Sequence, residues 1–225
     1  MRLILIRHGQ TPSNVDHSLD TGVPGPGLTE LGQAQAAALP EALEGEPVDG
    51  IFASNLLRTQ LTAQPLAAAL GLPVNIRPGL REISAGSLEM RNDRDAVIAY
   101  LKTVYSWVRG DLGVHMPGGP NGHETFARFD AVIEELQAAG LKNPVVVSHG
   151  AMMRAWCTAR AENTEPDFIV ENALSNTGVA VMETAEAGGG APAPWNLLTW
   201  MGEAVGGRAL RDYGEDGPAG EDVAY

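Results

Sequence analysis

The sequence predicts an α/β fold in a single domain, built around a buried sheet whose strands alternate with amphipathic helices. Two apolar runs carry that prediction. Leu3-Ile4-Leu5-Ile6 ends abruptly in Arg7-His8-Gly9, as a buried strand does when it delivers polar side chains to the rim of a sheet. Pro144-Val145-Val146-Val147 ends the same way in Ser148-His149-Gly150. A third observation is length: 225 residues are enough for one large α/β core, and nothing in the composition forces a split.

After the first strand, residues 12–27 are rich in Pro, Gly, Ser, Asn and Asp and read as a loop over the strand end, with a short helical turn. Thr29 stands as an N-cap, and Leu28, Leu31, Ala34, Ala38 and Leu39 share one face of a helix expected over 29–43. Ile51-Phe52-Ala53 is a second buried strand ending at Ser54. The helix that follows runs to Leu70, with Pro65 expected to kink it. Pro73–Ile76 makes a third strand, and residues 84–94 read as loop. A helix over 93–109 sets Val97, Leu101, Val104 and Val108 on one side, with Tyr100, Tyr105 and Trp107 around it. A Pro/Gly-rich loop over 113–122 precedes a helix over 124–139 closed by Gly140. The Val145–Val147 strand leads into a helix over 151–161, and 177–183 and 195–201 are the last strands, joined by a loop over 185–194. One domain is therefore expected over 1–201, with 84–125 as a lid or specificity region and 202–225 as a loosely attached acidic tail.

The net charge of -13 argues against nucleic acid or an anionic membrane surface as a partner, so a phosphate site has to be a local basic pocket. The single cysteine, Cys157, excludes an intramolecular disulfide and fits a reducing compartment as a buried, inert residue. No window reaches the ~20 apolar residues of a membrane span, and the opening residues lack the apolar length of a signal peptide. A cytoplasmic location is expected, with a homodimer left open.

Arg7, His8 and His149 lie at strand ends, and Arg58 in the first turn of a helix just past one. The helix dipole disfavours a cation there, which suggests that Arg58 faces an anion. Two guanidinium forks and two imidazoles gathered at one rim suit a phosphoryl group, whose charge is spread over three oxygens. The same cationic crowd would repel a divalent ion, so no metal or other cofactor is expected. Gly9 lets the backbone turn tightly, and Gln10, Thr11 and Asn14 offer donors to an anion. His17, His115 and His123 read as solvated loop residues, with His123 or Glu124 the better outside candidate for the pocket wall. Gly118-Gly119 reads as a turn.

Taken together, Arg7-His8-Gly9-Gln10-Thr11 with Asn14, Leu28-Thr29-x-x-Gly32, Ser54-x-x-x-Arg58-Thr59-x-x-Thr62, Arg81-Glu82 and Ser148-His149-Gly150 resemble the histidine phosphatase superfamily, also called phosphoglycerate-mutase-like, over residues 1–183. The resemblance implies a three-layer α/β/α sandwich with a mostly parallel central sheet. It implies that His8 becomes phosphohistidine, that Arg7, Arg58, His149 and Gly150 surround the phosphoryl oxygens with Gln10 or Asn14 adding donors, and that Glu82 protonates the leaving group. A backbone carbonyl near Gly9 would have to hold the His8 proton away from phosphorus, Glu82 would start neutral in a fraction of molecules, and His149 would work best protonated.

Two blocks depart from that family's pattern: Gly86–Asp93 replaces an aromatic-Glu-Gly segment, and Gly118–Thr125 carries an insertion with Glu124 and Thr125 at the matching positions. The basic substrate loops of glycolytic mutases are not evident. The expected activity is therefore hydrolysis of a small phosphorylated metabolite. A cofactor-dependent phosphoglycerate mutase and a non-catalytic phospholigand-binding protein are the alternatives.

Overall fold

The computed structural model describes residues 1–184 and 194–211, apart from the side chain of Arg208. Six strands form one sheet: β1 (Arg2–Arg7), β2 (Gly50–Ala53), β3 (Val74–Ile76), β4 (Pro144–Ser148), β5 (Val179–Thr184) and β6 (Trp195–Met201), in the order β3-β2-β4-β1-β5-β6. The first four are parallel, and β5 and β6 close one edge as antiparallel strands. The helices are α1 (Pro12–Val15), α2 (Glu30–Ala37), α3 (Leu39–Ala42), α4 (Leu57–Leu70), α5 (Arg94–Val108), α6 (Gly122–Ala138), α7 (Gly150–Arg160) and α8 (Phe168–Glu171).

The unbroken apolar runs have a simple cause, which is that both faces of the sheet are covered. Ile4, Ile6, Ile51, Ala53, Val145 and Val147 pack against Leu39 of α3 and Ala63 and Leu66 of α4. The alternate residues Leu3, Leu5, Phe52 and Val146 pack on the other side among Tyr100 and Trp107 of α5, Phe126 and Phe129 of α6 and Trp156 of α7. The result is the expected three-layer sandwich with a mostly parallel centre.

Four local expectations differ from what folds. The helix expected over 29–43 breaks at Ala38, because Pro40 in the first turn of α3 has no N–H to continue α2. On α5 the buried stripe is Ala96, Val97, Tyr100, Thr103, Val104 and Trp107, while Leu101 and Val108 are half-buried, since the large rings take the core. α6 starts at Gly122 because Asn121 and Glu124 form a reciprocal capping box. Beyond β6, Ala204 and Val205 are buried and the Gln35 side chain donates to the Leu210 carbonyl, so residues 202–211 pack against α2 instead of hanging loose. The rest of the tail, 212–225, and the loop expected over 185–194, described only at its last residue, lie outside the described residues.

At the end of β1 the backbone crosses the first turn of α2 at very short range. A Cβ on Gly9 would lie 2.6 Å from the Gly32 carbonyl oxygen, and one on Gly32 only 2.1 Å from that of Gln10. Gly9 is thus required by a neighbouring backbone. Replacing Gly32 by Ala should cost ~1–3 kcal/mol of stability, as over-packing does, and displace the Arg7–Gln10 segment. An unaltered urea midpoint in Gly32→Ala would show that the crossing has slack.

Candidate active site

Adjacency in the sheet brings the strand ends together. β2, β4 and β1 lie side by side and run the same way, with Arg7 opposite Ser148 and Ala53 opposite Val147, so Ser54, His149 and His8 emerge at one edge. That edge is where open α/β sheets bind ligands. The rings of His8 and His149 meet edge-on with centroids 5.2 Å apart. From the first turn of α4, Arg58 reaches over them and its Nε donates to His8 Nε2 at 3.2 Å. Arg7 is buried, and its guanidinium donates to the Leu174 carbonyl. A hollow opens here, and its wall includes Arg7, His8, Asn14, Arg58, Glu82 and Gly150.

The imidazole of His8 is fixed at both nitrogens. Nδ1 lies 2.8 Å from the Gly9 carbonyl oxygen, which can only accept, so Nδ1 carries the proton. Nε2 is then an unprotonated lone pair facing the Arg58 guanidinium. Burial first, and the charges of Arg58 and Arg7 next, hold the His8 pKa well below the usual histidine value of 6.5, against a smaller upward pull from the Gly9 carbonyl. His8 is therefore a neutral, oriented base near neutral pH.

His149 is wholly buried behind this wall and is not part of it. Its Nε2 lies 2.8 Å from Ser54 Oγ, which also contacts Thr59 Oγ1 at 2.9 Å and accepts from the Leu56 N–H. Thr59 can place its own proton on the Leu56 carbonyl, 2.8 Å away, which leaves the Ser54 proton for Thr59 and makes His149 Nε2 the donor. Nδ1 of His149 is then a bare, buried nitrogen, and among the described residues it has no hydrogen-bond partner. Burial, then Arg58, His8, Arg128 and Arg7, push its pKa well below 6.5. Without an anion His149 is thus held neutral, by its burial first and by the neighbouring guanidinium groups next.

Glu82 reaches the hollow from the turn after β3. Its carboxylate accepts from the Ile83 N–H (2.8 Å) and, at the N-terminus of α7, from Ala151 (3.1 Å) and Met152 (2.8 Å). That turn is clamped from α6 by Arg128, which donates to the carbonyls of Gly79, Arg81 and Glu82 at 2.7, 2.6 and 2.8 Å. Burial lowers the Arg128 pKa to about 10. Arg128 carried no motif signal, since it acts on main-chain carbonyls that a sequence does not display.

Asn14 lies on the wall with its Oδ1 taken by the Thr11 N–H, the Thr11 hydroxyl and Asn176 Nδ2, which turns its NH₂ group into the free end of the amide. Gln10 is elsewhere: its side-chain oxygen accepts from Thr29 Oγ1 at 2.6 Å, so it secures the start of α2 and is not on the wall. His123 and Glu124 are exposed and do not line the hollow either. Asn176 and Thr177 were missed in the sequence. Asn176 Nδ2 donates to the His8 carbonyl at 3.0 Å, and the Thr177 N–H points at those of Arg7 and His8. Thr177 has φ 57°, an unfavourable backbone for a β-branched residue, held at the point where β1 stops. Among the described residues no group of three or more His, Cys, Asp or Glu side chains is placed to hold a metal ion, and no helix is long and apolar enough to cross a membrane.

Known proteins resemble the chain along most of its length. The profile of the histidine phosphatase superfamily (branch 1) matches residues 3–196. PE-PGRS family protein PE_PGRS11 of Mycobacterium tuberculosis is 38% identical over 91% of the chain, which spans only 37% of that relative's length. An adenosylcobalamin/alpha-ribazole phosphatase of Escherichia coli is 36% identical over 68% of the chain and 75% of its own. A probable phosphoglycerate mutase of Yersinia pestis is 31% identical over 94% of the chain and 95% of its own. Among solved structures, mycobacterial glucosyl-3-phosphoglycerate phosphatase complexed with VO3 superposes with a TM-score of 0.72 at 25% identity, covering 90% of this chain and 99% of the other.

The two depressed histidines make stability depend on pH in a fixed direction. Because their folded pKa values lie below 6.5, the unfolded chain takes up protons that the folded chain refuses once pH falls through that value, so their contribution is complete above about pH 6.5 and is lost below it. The urea midpoint should fall between about pH 7.5 and about pH 5.5, and fall less in His149→Gln. Parallel pH profiles for the two proteins would contradict a neutral buried His149.

Proposed function

The chain belongs to branch 1 of the histidine phosphatase superfamily, and from that membership and the geometry of the hollow we propose that it hydrolyses a small phosphate monoester through a phosphohistidine on His8. The observation that carries the reading is the His8 ring, its proton held on Nδ1 by the Gly9 carbonyl and its Nε2 lone pair turned to a buried guanidinium. Bare anion binding has no use for an imidazole fixed in that tautomer. Nucleophilic attack requires it.

A phosphoryl oxygen takes over the Arg58 Nε–H, which releases the lone pair for in-line attack on phosphorus. Arg7, Arg58 and the Asn14 amide compensate the charge on the equatorial oxygens, in a site that needs no reorganisation to do so. The N–P bond forms as the P–O bond to the leaving group breaks, and the leaving oxygen takes a proton from Glu82. In the second step water gives its proton back to Glu82 and attacks phosphorus, breaking the N–P bond and releasing phosphate. His149 contributes once an anion is present. A dianion offsets the Arg58 and Arg7 charges that add to burial in keeping it neutral, and its bare Nδ1 is the nitrogen that then gains a proton. Hydrolysis is favoured over mutase transfer because Arg7 and Arg58 are the only cations on the described wall, too few to hold a bisphosphorylated ligand.

His8→Ala should abolish turnover of p-nitrophenyl phosphate, and Arg58→Ala should raise the barrier by about 2–4 kcal/mol, on the scale of a lost oxyanion donor. Near-normal turnover in His8→Ala would eliminate the phosphohistidine. Glu82→Gln should slow alkyl phosphates far more than aryl phosphates, whose leaving oxygen needs less help from a proton. Equal losses on the two classes would remove Glu82 from the acid role.

A further inference from the structure

The half of the hollow beyond Arg58 has a charge pattern that family membership does not dictate. The Arg58 guanidinium spans the site: its Nε end meets His8, while at the other end Nη2 donates to the Asp20 carbonyl at 2.9 Å and Nη1 lies 3.9 Å from Asp20 Oδ1. Asp20 is a wall residue, and its other carboxylate oxygen accepts from Ser13 Oγ at 2.6 Å, so the carboxylate is held in place. Around it the wall is made of Ser13, Ser18, Leu19, Thr21 and Tyr100, none of them cationic. A second carboxylate stands just behind: Glu89 accepts from the Thr21 N–H (2.7 Å), the Gly22 N–H (2.9 Å) and the Thr21 hydroxyl. The nearby Arg91 is turned away in a two-point pair with Asp93, at 2.8 Å on each arm.

We propose that this acidic, hydroxyl-lined half makes the protein selective for phosphate esters of neutral, hydroxyl-bearing alcohols and against esters whose alcohol carries a carboxylate, with Asp20 the determining residue. The assignment rests on the phosphatase reading for calling this half the leaving-group side. The two arginines are matched by the phosphoryl charge, so a second anion on the ligand finds the Asp20 carboxylate facing it, and no cation among the described wall residues to offset it. A hydroxyl at the same place can donate to Asp20 or pair with the Ser18 side chain. Like charges a few ångströms apart in a partly dry cleft disfavour binding by an order of magnitude or more.

Glycerol 3-phosphate and 3-phosphoglycerate are a matched pair of probes, differing only in CH₂OH against COO⁻. Titrated calorimetrically into the His8→Ala protein, which cannot turn them over, glycerol 3-phosphate should bind at least about tenfold more tightly, and Asp20→Asn in that background should narrow the ratio about fivefold or more while inorganic phosphate still binds. Equal affinities in His8→Ala overturn the proposal, and so does a ratio unchanged by Asp20→Asn, the result expected if Asp20 only braces Arg58. If Asp20→Asn does not fold, the ratio in His8→Ala decides alone. Hydrolysis of p-nitrophenyl phosphate by the wild-type protein reports separately on the phosphatase reading. Turnover with unselective binding sinks the selectivity alone, whereas selective binding without turnover sinks the phosphatase and leaves the ligand class standing.

Discussion

A buried guanidinium donating to a buried imidazole is the contact on which the rest of this structure depends. Arg58 is 4% exposed and burial lowers its pKa, yet it stays a cation because guanidinium cannot readily lose its proton. The imidazole beside it therefore yields instead, remaining neutral and presenting a lone pair. Everything that fixes His8 serves this arrangement: the Gly9 carbonyl holds the ring proton, Asn176 and Thr177 take up the main-chain carbonyls where β1 ends, and the Asp20 backbone steadies the far side of Arg58. Burying two guanidinium groups this close to one another is costly, and the Asp20 carboxylate 3.9 Å from Arg58 offsets part of that cost.

The same constraint explains why neighbouring elements are so tightly tied. His8 can be held only if the segment after β1 is immobile, and Gly9 and Gly32 allow two backbones to touch where any side chain would separate them. Glu82 is secured from two directions, by main-chain N–H groups of α7 and by Arg128 from α6. His8 and Glu82, the proposed nucleophile and acid, are thus built on opposite sides of β4 yet share one rigid reference, the start of α7, since Gly150 follows His149 and opens that helix.

Much of this was legible in the residues. The apolar runs placed β1, β2 and β4, their abrupt polar ends placed His8, Ser54 and His149, and Thr29 marked its helix start correctly. These signals are local, a period or a cap, and local signals survive tertiary context. What stayed hidden depends on contacts between distant segments. Gln10 looked like an anion donor from its place just after His8-Gly9, but its side chain is turned to Thr29 at the start of α2 and does not line the hollow. Arg128 acts on carbonyls, and the position of residues 202–211 is decided by packing against α2, neither of which leaves a periodic trace. The resting charge of His149 was hidden for a related reason: a role can be inferred from a motif, but the charge a group carries is set by what surrounds it.

The electrostatics also limit what can enter. With a net charge of -13, the protein's long-range field repels an anionic metabolite, so on the proposed reading affinity has to arise at short range, from desolvated guanidinium groups that would meet the phosphoryl oxygens directly. Such contacts recognise the phosphoryl end alone. Discrimination among esters is then left to the part of the hollow that the phosphoryl group does not reach, where the side chains are hydroxyls and carboxylates rather than cations. The proposed division of labour between a positive phosphoryl cradle and a negative alcohol side would follow from the geometry of one arginine, whose two ends face His8 and Asp20.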